Sequence, residues 1–310
     1  MSRNGILIVG SLNADLVVRT DRFPAPGETV RGSTLATLPG GKGANQAAAA
    51  ALLGGDVTML GAVGGDAHGE LLLASLTDAG ADVSQVRVVD GVATGTAMIT
   101  VDAHGENSIV VSPGANDELS VDDIEGSESF RDRAVLGLCL EIDLGVVAAA
   151  AGRAHAAGAT VLLNLSPYAA VPADLLAVTD VLLVNEHEAS LLLSVDVESA
   201  TPWAVAAAFA NHGIRRAVIT RGAEGSLVFD GDEVSTVAAV AVTAVDTTGC
   251  GDAFMGALAV RLAAGDGLAD AAGFAAAVGA FAATKEGAQS SYPTLAELDA
   301  FRADSARDDR

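Results

Sequence analysis

Short runs of apolar residues alternate along the chain with longer segments rich in alanine and leucine. The short runs contain many β-branched residues and are bounded by glycine, so they predict strands, whereas the longer segments have the length of helices. The five clearest strands are predicted at residues 5–10, 57–64, 160–165, 181–185 and 216–222. Helices are predicted near residues 43–54, 68–80, 145–158 and 202–213. Because the strands are continuously apolar, the pattern indicates an α/β fold with helices on both faces of a mostly parallel sheet.

Three segments depart from this alternation. Residues 94–117 and 225–240 each predict two strands around a polar turn, as in a β-hairpin. Residues 15–32 alternate apolar and polar positions and contain two prolines, which suit an edge strand or a lid better than a central strand. We therefore expect a small sheet, or lid, formed from about residues 15–32 and 94–117. No segment has the composition of a linker, and residues 1–310 are predicted to form a single domain.

Composition and charge narrow the choice of partners. The formal net charge of −23 leaves no basic face for nucleic acid or for an anionic membrane surface, so neither is expected as a partner. An acidic protein can still bind an anion through a helix N-terminus, a ring of backbone N–H groups or a bound cation. The two cysteines, Cys139 and Cys250, do not form a CxxC pair, and no apolar run approaches the length of a membrane span. We expect a cytoplasmic protein.

Three glycines precede a strongly helical segment in "PGGKGANQAAAA", residues 39–50. They allow a ligand to approach the main chain closely before the helix begins. The segment is not a Walker A loop, and no GxGxxG motif follows the first strand, so the two commonest nucleotide-binding signatures are absent. Their absence argues against a dinucleotide oxidoreductase. The alternative is an ordinary glycine turn, with Asn45 and Gln46 solvated in the first turn of a helix.

Polar residues follow the first predicted strand in "GSLNAD", residues 10–15. Ligands of α/β proteins bind at the carboxyl ends of strands, so Asn13 and Asp15 are placed where they could bind the hydroxyl groups of a sugar. The alternative is a turn closed by its own side chains. Elsewhere, in "LGLCLEI", Cys139 is most simply a packed core thiol, whereas Glu141 is harder to bury without a role.

The segment "VNEHEAS", residues 184–190, closes another predicted strand. Asn185 and Glu188 are three residues apart and therefore lie on one face of the helix that follows. The alternative is a helix N-terminus whose acidic residues interact with the helix dipole and need no ligand. His187 is not part of an HxxxH or HExxH pair, which argues against a transition-metal site.

The segment "DTTGCGDAFMGAL", residues 246–258, places small residues and glycines ahead of an aspartate and an apolar helix. Successive backbone N–H groups in such a loop can converge on one anion, and the helix dipole adds to the attraction. Asp252 would repel a phosphate, so its useful role there is to accept a proton from an attacking hydroxyl. Two alternatives remain: a redox turn built around Cys250, and a plain helix start capped by Asp252.

Taken together, these segments resemble the ribokinase-like (PfkB-type) carbohydrate kinases over essentially the whole chain. Eight segments match that family in order: GSLNAD, FPAPGETVRG, PGGKGANQA, LEID, NEHEA, TRGAEG, DTTGCGDAF and KEGAQSS. The combination of GGKGAN with a GxGD loop near the C-terminus is specific to the family. The resemblance implies a three-layer α/β/α fold with a central, mostly parallel sheet and a small β-sheet lid that also pairs two subunits as a homodimer.

The resemblance also implies a reaction. The γ-phosphoryl group of ATP is transferred in line to the O5 hydroxyl of D-ribose, giving D-ribose 5-phosphate and ADP. The nearest alternative is a kinase for deoxyribose, another furanose or a nucleoside on the same fold, although the scarcity of aromatic residues modestly favours a bare sugar. A non-catalytic sensor on this fold would be expected to lose the base or the glycines, and both are present.

Individual residues receive implied roles by their match to the family motifs. Asp252 is the implied base, and the backbone of Gly249, Cys250 and Gly251 is the implied anion hole. The residues implied to surround the sugar, together with the base, are Asn13, Asp15, Gly41, Lys42, Asn45 and Glu141. The residues implied to line the nucleotide are Thr220, Gly222, Gly225 and Gly251.

The resemblance implies two cations. Asn185 and Glu188 match the NxxE element of the family, which organises Mg2+ and phosphate through water. An activating K+ is implied to bind beside the anion hole, partly through backbone carbonyl groups. Its implied ligands are Asp246, Thr248, Ala282, Lys285, Gly287 and Ser291.

Three departures from the family pattern leave the nucleotide preference open. Cys250 stands where the family usually has alanine or another small residue. The apolar segment 273–281 lacks the polar side chain that the family often places near adenine, and "LNLSPY", residues 163–168, replaces a more usual Asn-Pro segment. None of these departures removes a catalytic group.

Overall fold

The fold is that of a computed structural model, which describes residues 4–308 and side chains as far as residue 304. Thirteen strands are present among these residues: β1 Gly5–Val9, β2 Asn13–Arg19, β3 Ala36–Gly40, β4 Asp56–Gly64, β5 Asp82–Val89, β6 Gly95–Val101, β7 Asn107–Ser112, β8 Arg133–Leu138, β9 Thr160–Asn164, β10 Val181–Asn185, β11 Arg216–Thr220, β12 Ser226–Asp230 and β13 Glu233–Val237. Each of the five strands predicted from apolar runs is confirmed.

Ten α-helices are described in the same part of the chain. They are α1 Lys42–Leu52, α2 Ala67–Ala79, α3 Val121–Gly126, α4 Leu144–Ala156, α5 Ala173–Ala177, α6 Glu186–Leu193, α7 Pro202–Asn211, α8 Cys250–Ala263, α9 Leu268–Ala283 and α10 Leu295–Asp308. The four predicted helices correspond to α1, α2, α4 and α7. No helix among residues 4–308 is long and apolar enough to cross a membrane.

Nine strands form the main sheet, in the order β13-β12-β11-β10-β9-β8-β1-β4-β5. The strands from β11 to β5 pair in parallel, whereas β12 and β13 extend the sheet as an antiparallel hairpin. Successive residues of β1 enter different cores: Ile6 and Ile8 pack with α1, α8 and α9, while Leu7 and Val9 pack with α4 and α7. This double burial explains the continuously apolar strands and confirms the predicted α/β architecture.

A separate four-stranded sheet has the order β3-β2-β6-β7. The predicted hairpin at 94–117 supplies β6 and β7, and β2 is the first part of the predicted segment 15–32. The rest of that segment was predicted wrongly as strand, because residues 20–35 lie outside any strand and the partner of β2 is β3. Pro24 and Pro26 lack the N–H groups that a strand would need there.

Helices α1 and α8 cross closely, and this crossing brings the two glycine-rich motifs together. Gly256 of α8 faces α1 at a point where an added Cβ would lie 2.7 Å from the carbonyl oxygen of Gln46 and 2.8 Å from Cβ of Ala49. A larger residue at 256 would therefore push the helices apart. The close crossing fixes the separation of the first turns of the two helices, so that Asn45 and Gln46 of α1 face Asp252 of α8.

Candidate active site

The candidate site lies where β1 and β8 end and where α1 and α8 begin. After β1 the chain passes through Gly10 and Ser11 and contacts the start of α1 at Gly43. A Cβ on Gly43 would lie 2.7 Å from the backbone nitrogen of Ser11, and Ala44 donates its N–H to the Ser11 carbonyl at 2.9 Å. Glycine at 43 is therefore required for this approach, and it places the GGKGAN segment against the end of β1.

Asn13 and Asp15 lie on β2, and their side chains come from the small sheet. The side-chain oxygen of Asn13 accepts a hydrogen bond from Nδ2 of Asn116 at 2.8 Å. Asn116 also accepts from the N–H of Leu12 at 2.9 Å and donates to its carbonyl at 3.1 Å. Asn13 is thus fixed by a neighbouring buried amide, and the alternative of a turn closed by the side chains of GSLNAD is wrong.

The carboxyl group of Asp15 lies against Gly40, where an added Cβ would overlap it. Burial raises the pKa of Asp15 to about 7, with the charges of Glu141 and Asp252 adding to the effect. Gly41 follows with φ of 87°, and an added Cβ there would lie 2.6 Å from the backbone nitrogen of Asn13. The two glycines therefore leave room for a carboxyl group that shares the site with two other acids.

Glu141 joins the end of β8 to the start of α1. One carboxylate oxygen, Oε2, accepts from Oγ of Ser11 at 2.6 Å and from the N–H of Lys42 at 3.0 Å. The N–H of Lys42 is one of the groups at a helix N-terminus that have no intrahelical acceptor, so an acidic partner stabilises it. The structure therefore brings Glu141 and Lys42 together.

Lys42 provides the positive charge of the site. Its side chain is largely buried, which acts to lower its pKa, but the negative charges of Asp252 and Glu141 outweigh burial and raise the pKa above the ordinary value for lysine. Smaller contributions come from Cys139 and Glu188. Lys42 is therefore a stable cation among acids, suited to hold a polar or anionic ligand and unsuited to act as a base.

Asp252 lies in the first turn of α8 and is buried. Its oxygens Oδ2 and Oδ1 accept hydrogen bonds from Nδ2 of Asn45 at 3.1 Å and from Nε2 of Gln46 at 3.0 Å. Burial raises the pKa of Asp252, while the Lys42 charge and the two amides oppose that rise.

The N-cap of α8 is Gly249, which has no side chain, so the alternative of a helix capped by Asp252 is wrong. Asn45 and Gln46 are also buried, which excludes the solvated glycine turn.

The loop before α8 is built around Gly249, whose φ is 74°. An added Cβ there would lie 2.5 Å from the hydroxyl of Tyr292, which donates to the Gly249 carbonyl at 3.1 Å. The N–H of Cys250 donates within the loop to the Thr247 carbonyl at 3.2 Å. Burial raises the pKa of the Cys250 thiol to about 11, so the thiol is protonated at neutral pH and poorly suited to redox chemistry. The exposed Gly251 follows in the first turn of α8.

The residues predicted near the nucleotide lie at the carboxyl ends of β10 and β11, where Asn185 and Thr220 are paired. Asn185 and Glu188 form a capping box, each accepting the backbone N–H of the other at 2.8 Å. The alternative of a capped helix start is therefore correct as a description of their geometry. Gly222 and Gly225 have φ of 54° and 85°, and an added Cβ on Gly225 would overlap the carbonyl oxygen of Val237. These glycines are required by the turn between β11 and β12.

The residues predicted around K+ lie in two loops that one carboxylate holds together. Asp246 accepts the N–H of Thr248 and the N–H of Gly287, each at 2.9 Å. Ala282, at the end of α9, accepts from the N–H of Lys285 at 3.1 Å, while Ser291 is fully buried in the next turn. Within residues 4–308 no group of three or more His, Cys, Asp or Glu side chains is placed to hold a metal ion. A monovalent cation here would depend mainly on backbone carbonyls.

Sequence reasoning missed five residues that support the site. They are Ser11, Gln46, Asn116, Gln289 and Tyr292. Three of them lie inside quoted segments and Asn116 lies in the predicted hairpin at 94–117, but their role depends on which side chain each one faces, and sequence spacing does not contain that information. Tyr292 immediately follows the last matching segment, and only its contact with Gly249 reveals its position.

Comparison with known proteins agrees with this geometry. Residues 3–295 match the model of the pfkB family of carbohydrate kinases, and the chain belongs to that family. A ribokinase from Schizosaccharomyces pombe is 39% identical over 306 residues, with 95% of this chain and 96% of the relative covered. A deoxyribokinase from Salmonella typhi is 34% identical over 301 residues, covering 96% of this chain and 98% of the relative. The solved structure of Arabidopsis thaliana ribokinase with ribose and ATP has a TM-score of 0.88 at 33% identity, covering 96% of this chain and 98% of that one.

Proposed function

We propose that this protein transfers the γ-phosphoryl group of ATP to the O5 hydroxyl of D-ribose. The observation that carries the proposal is the environment of Asp252 in the first turn of α8. Its buried carboxylate accepts hydrogen bonds from two amide side chains of α1 and interacts with the positive charge of Lys42. Its neighbours Asn13, Asp15 and Glu141 supply the mixture of donors and acceptors that a polyhydroxyl ligand requires. The similarity to ribokinases on both sequence and structure supports ribose as the sugar.

In the proposed mechanism, the sugar lies between the small sheet and the first turns of α1 and α8. Asp252 accepts the proton of the O5 hydroxyl as that oxygen attacks the γ-phosphorus. The raised pKa of Asp252 improves its ability to take this proton, and the opposing amides keep enough of it ionised to act. Much of the rate is expected to come from holding the sugar and the phosphate in line.

Backbone N–H groups at Gly249, Cys250 and Gly251 are proposed to stabilise the charge on the transferred phosphoryl group. They lie at the N-terminus of the 14-residue helix α8, where unpaired donors and the helix dipole favour an anion. In the structure the Cys250 N–H is used by the Thr247 carbonyl. We therefore expect this loop to adjust when phosphate binds, with Tyr292 holding the Gly249 carbonyl in place.

The nucleotide is proposed to lie along Thr220, Gly222, Gly225 and Gly251, with Mg2+ organised through water by Asn185 and Glu188. Mg2+ would neutralise charge on the phosphates of ATP. Glu188 fits this role because its carboxylate is buried yet close enough to the sugar site to raise the pKa of Lys42. The capping box holds the Glu188 carboxylate in a fixed position, and this carboxylate would orient the water molecules around Mg2+.

An activating K+ is proposed beside the anion hole, near Asp246, Thr248, Ala282, Lys285, Gly287 and Ser291. The fit rests on Asp246, which ties the loop before α8 to the loop after α9. A cation there would add positive charge next to the phosphate-binding loop. The Asp246 carboxylate itself holds backbone N–H groups, so its role is to shape the loops around the ion.

The small sheet is proposed to act as a lid on one catalytic domain and as the interface of a homodimer. Its outer strand β7 is exposed along its whole length, and Ile109, Val110 and Val111 remain 50%, 60% and 51% exposed in the single chain. An apolar edge of this kind needs a partner. Light scattering at micromolar concentration is expected to show a dimer, and a monomer alone would contradict this part of the proposal. We also propose that the protein is cytoplasmic, as expected from the sequence.

The decisive experiment is a panel of sugars and nucleosides scored for ADP release with ATP and Mg2+, each with and without K+. Ribose-dependent ADP formation is expected, with stimulation by K+. The relative from Salmonella makes 2-deoxyribose the most informative competitor, since it differs from ribose by one hydroxyl group. A higher kcat/KM for 2-deoxyribose or for a nucleoside would overturn ribose as the substrate while leaving the site residues in place.

A further inference from the structure

A chain of three hydrogen bonds leads from helix α2 to the carboxylate of Asp252. Oγ of Ser75 donates to Oε1 of Gln289 at 2.8 Å. Nε2 of Gln289 donates to Oδ1 of Asn45 at 3.1 Å, and Nδ2 of Asn45 donates to Oδ2 of Asp252 at 3.1 Å. Both amides accept on the side of Ser75 and donate on the side of Asp252. The chain therefore has a single direction that ends at the base.

We propose that Ser75 and Gln289 are positioning residues for Asp252, which they orient by fixing the sense of the Asn45 amide. This inference rests on the proposed function of Asp252 as the base. Neither residue touches the reacting atoms. Gln289 acts on Asn45, and Ser75 acts on Gln289 from α2.

The physical reason is the near-symmetry of an amide group. The oxygen and the NH2 of asparagine occupy similar volumes, so nothing in the packing alone prevents the group from turning over. A turned Asn45 would present its carbonyl to the Asp252 carboxylate, and two acceptors would then face each other in a buried site. Because Gln289 offers only an N–H group to Oδ1 of Asn45, the turned orientation loses this bond as well. Ser75 places the same constraint on Gln289 by donating to its oxygen.

Gln46 shows that donors to Asp252 are retained at a cost. It is fully buried, its Nε2 donates to Oδ1 of Asp252, and its Oε1 has no hydrogen-bond partner in the part of the chain that the structure describes. A buried acceptor without a partner destabilises a fold, so structural demands alone would favour an apolar side chain at 46. The bond to Asp252 explains the glutamine. Both carboxylate oxygens therefore accept directly from an amide: Oδ1 from Gln46, and Oδ2 from Asn45, the last amide of the directed chain.

The expected consequence concerns the protonation of Asp252. Hydrogen bonds to a carboxylate favour its ionised form and lower its pKa, so losing one of them raises it. The other titratable groups that influence this carboxylate or are influenced by it are Asp15, Lys42, Cys139, Glu141, Cys250 and Tyr292. None of them is altered by substitution at 75 or 289, so a change in the pKa of Asp252 in those variants reports on the chain itself.

The test is a 13C NMR titration of the Asp252 carboxyl in the full-length protein without sugar or nucleotide. Gln289→Leu is expected to raise the pKa of Asp252 by about 1, and Ser75→Ala to raise it by a smaller amount. Gln85→Leu is the matched control, because Gln85 is exposed on the edge strand β5 and its only side-chain partner among the described residues is Ser127. An unchanged pKa in Gln289→Leu, with a wild-type backbone spectrum, would overturn the proposal. Should Gln289→Leu fail to fold, an unchanged pKa in Ser75→Ala would overturn it equally.

A kinetic experiment connects the chain to turnover. In Gln289→Leu the acidic limb of the kcat/KM profile is expected to move to higher pH by the same amount, which gives about a tenfold loss below the apparent pKa and little loss above it. A merely structural role would lower kcat/KM equally at every pH, and that result would overturn the proposal. The two proposals can fail separately. Wild-type protein that is inactive on ribose would refute the proposed function, whereas the carboxyl titration needs no substrate and would still test the role of Ser75 and Gln289.

Discussion

The hydroxyl of Tyr292 occupies the space that a side chain at Gly249 would need. It lies 2.5 Å from the position of an added Cβ and donates to the Gly249 carbonyl at 3.1 Å. Tyr292 is buried, and burial, with the charges of Asp252 and Cys250 adding to it, keeps the pKa of its hydroxyl well above the ordinary value for tyrosine. A neutral phenol therefore holds the first carbonyl of α8 from outside the helix.

This contact predicts that Gly249→Ala will lose most of its activity. The alanine Cβ would overlap the Tyr292 hydroxyl and lie 2.8 Å from Cβ of Ala288, and a φ of 74° is unfavourable for any residue with a Cβ. We expect kcat to fall by at least about tenfold, because the proposed anion hole shifts. Gly80→Ala is the control, since Gly80 also has a positive φ, 95°, but an added Cβ there meets no atom of the described residues within 4 Å. Equal kinetics for the two variants would contradict a crowding effect specific to Gly249.

Asp252→Asn tests the proposed base directly. Asparagine keeps the shape of the side chain but cannot accept a proton from the sugar, so turnover is expected to fall by about 10³-fold or more. Ribose binding should persist, because the other residues of the sugar site are unchanged. Rapid-quench measurement of ADP formation and calorimetric measurement of ribose affinity would check both expectations. Near-normal turnover in this variant would refute the role assigned to Asp252.

Asp15 predicts a pH-dependent stability of the protein without ligand. Its pKa is about 7 in the folded protein and near the ordinary value of 3.8 in the unfolded chain, so the folded state binds the proton more tightly. Its contribution to stability is therefore greatest below the lower value and is lost as the pH rises toward 7. Asp15→Asn removes this dependence, and we expect it to raise Tm relative to wild type at about pH 8 but not at about pH 4.

Asp21→Asn serves as the control for this prediction, because Asp21 is exposed on the loop after β2. It should change Tm little at either pH. An Asp15→Asn protein whose Tm follows wild type at both pH values would show that the carboxyl titrates normally.

Cys250 is predicted to be dispensable as a thiol. Its pKa is raised to about 11 and that of Cys139 to about 12, in both cases first by burial, so little thiolate exists at neutral pH. Cys250→Ala should retain kcat within about threefold of wild type, and iodoacetamide should label the folded protein slowly at about pH 7.5. Rapid labelling with loss of activity would restore the redox interpretation.

The fold could be predicted further than the site. Apolar runs mark strands because burial on both faces excludes polar residues, and the parallel sheet follows from that pattern. Strand β3 escaped prediction because it is a largely exposed edge strand with Pro39 near its end, and its pairing with β2 depends on tertiary structure. An apolar run appears in a sequence where a strand is buried, and most residues of β3 are exposed.

Motifs indicated which residues are proposed to carry the chemistry, but not which neighbouring side chains hold them. Asn45 and Asp252 were found from their segments, whereas the contact between Asn45 and Gln289 joins residues 244 positions apart. The sequence also left the choice between a solvated and a buried Gln46, which only the close crossing of α1 and α8 decides. Contacts of this kind arise from packing between elements, and local sequence does not encode them separately.

The placement of Asn13 and Asp15 on β2 has a kinetic consequence. Both belong to the small sheet, whereas Asp252 and Lys42 belong to helices of the main body. A rigid displacement of that sheet would withdraw Asn13 and Asp15 from their proposed contacts with the sugar and leave Lys42 and Asp252 in place. We therefore expect bound ribose, the proposed substrate, to dissociate at the rate at which the small sheet moves away from the helices. The dissociation rate of a slowly released sugar analogue would then measure the rate of that movement.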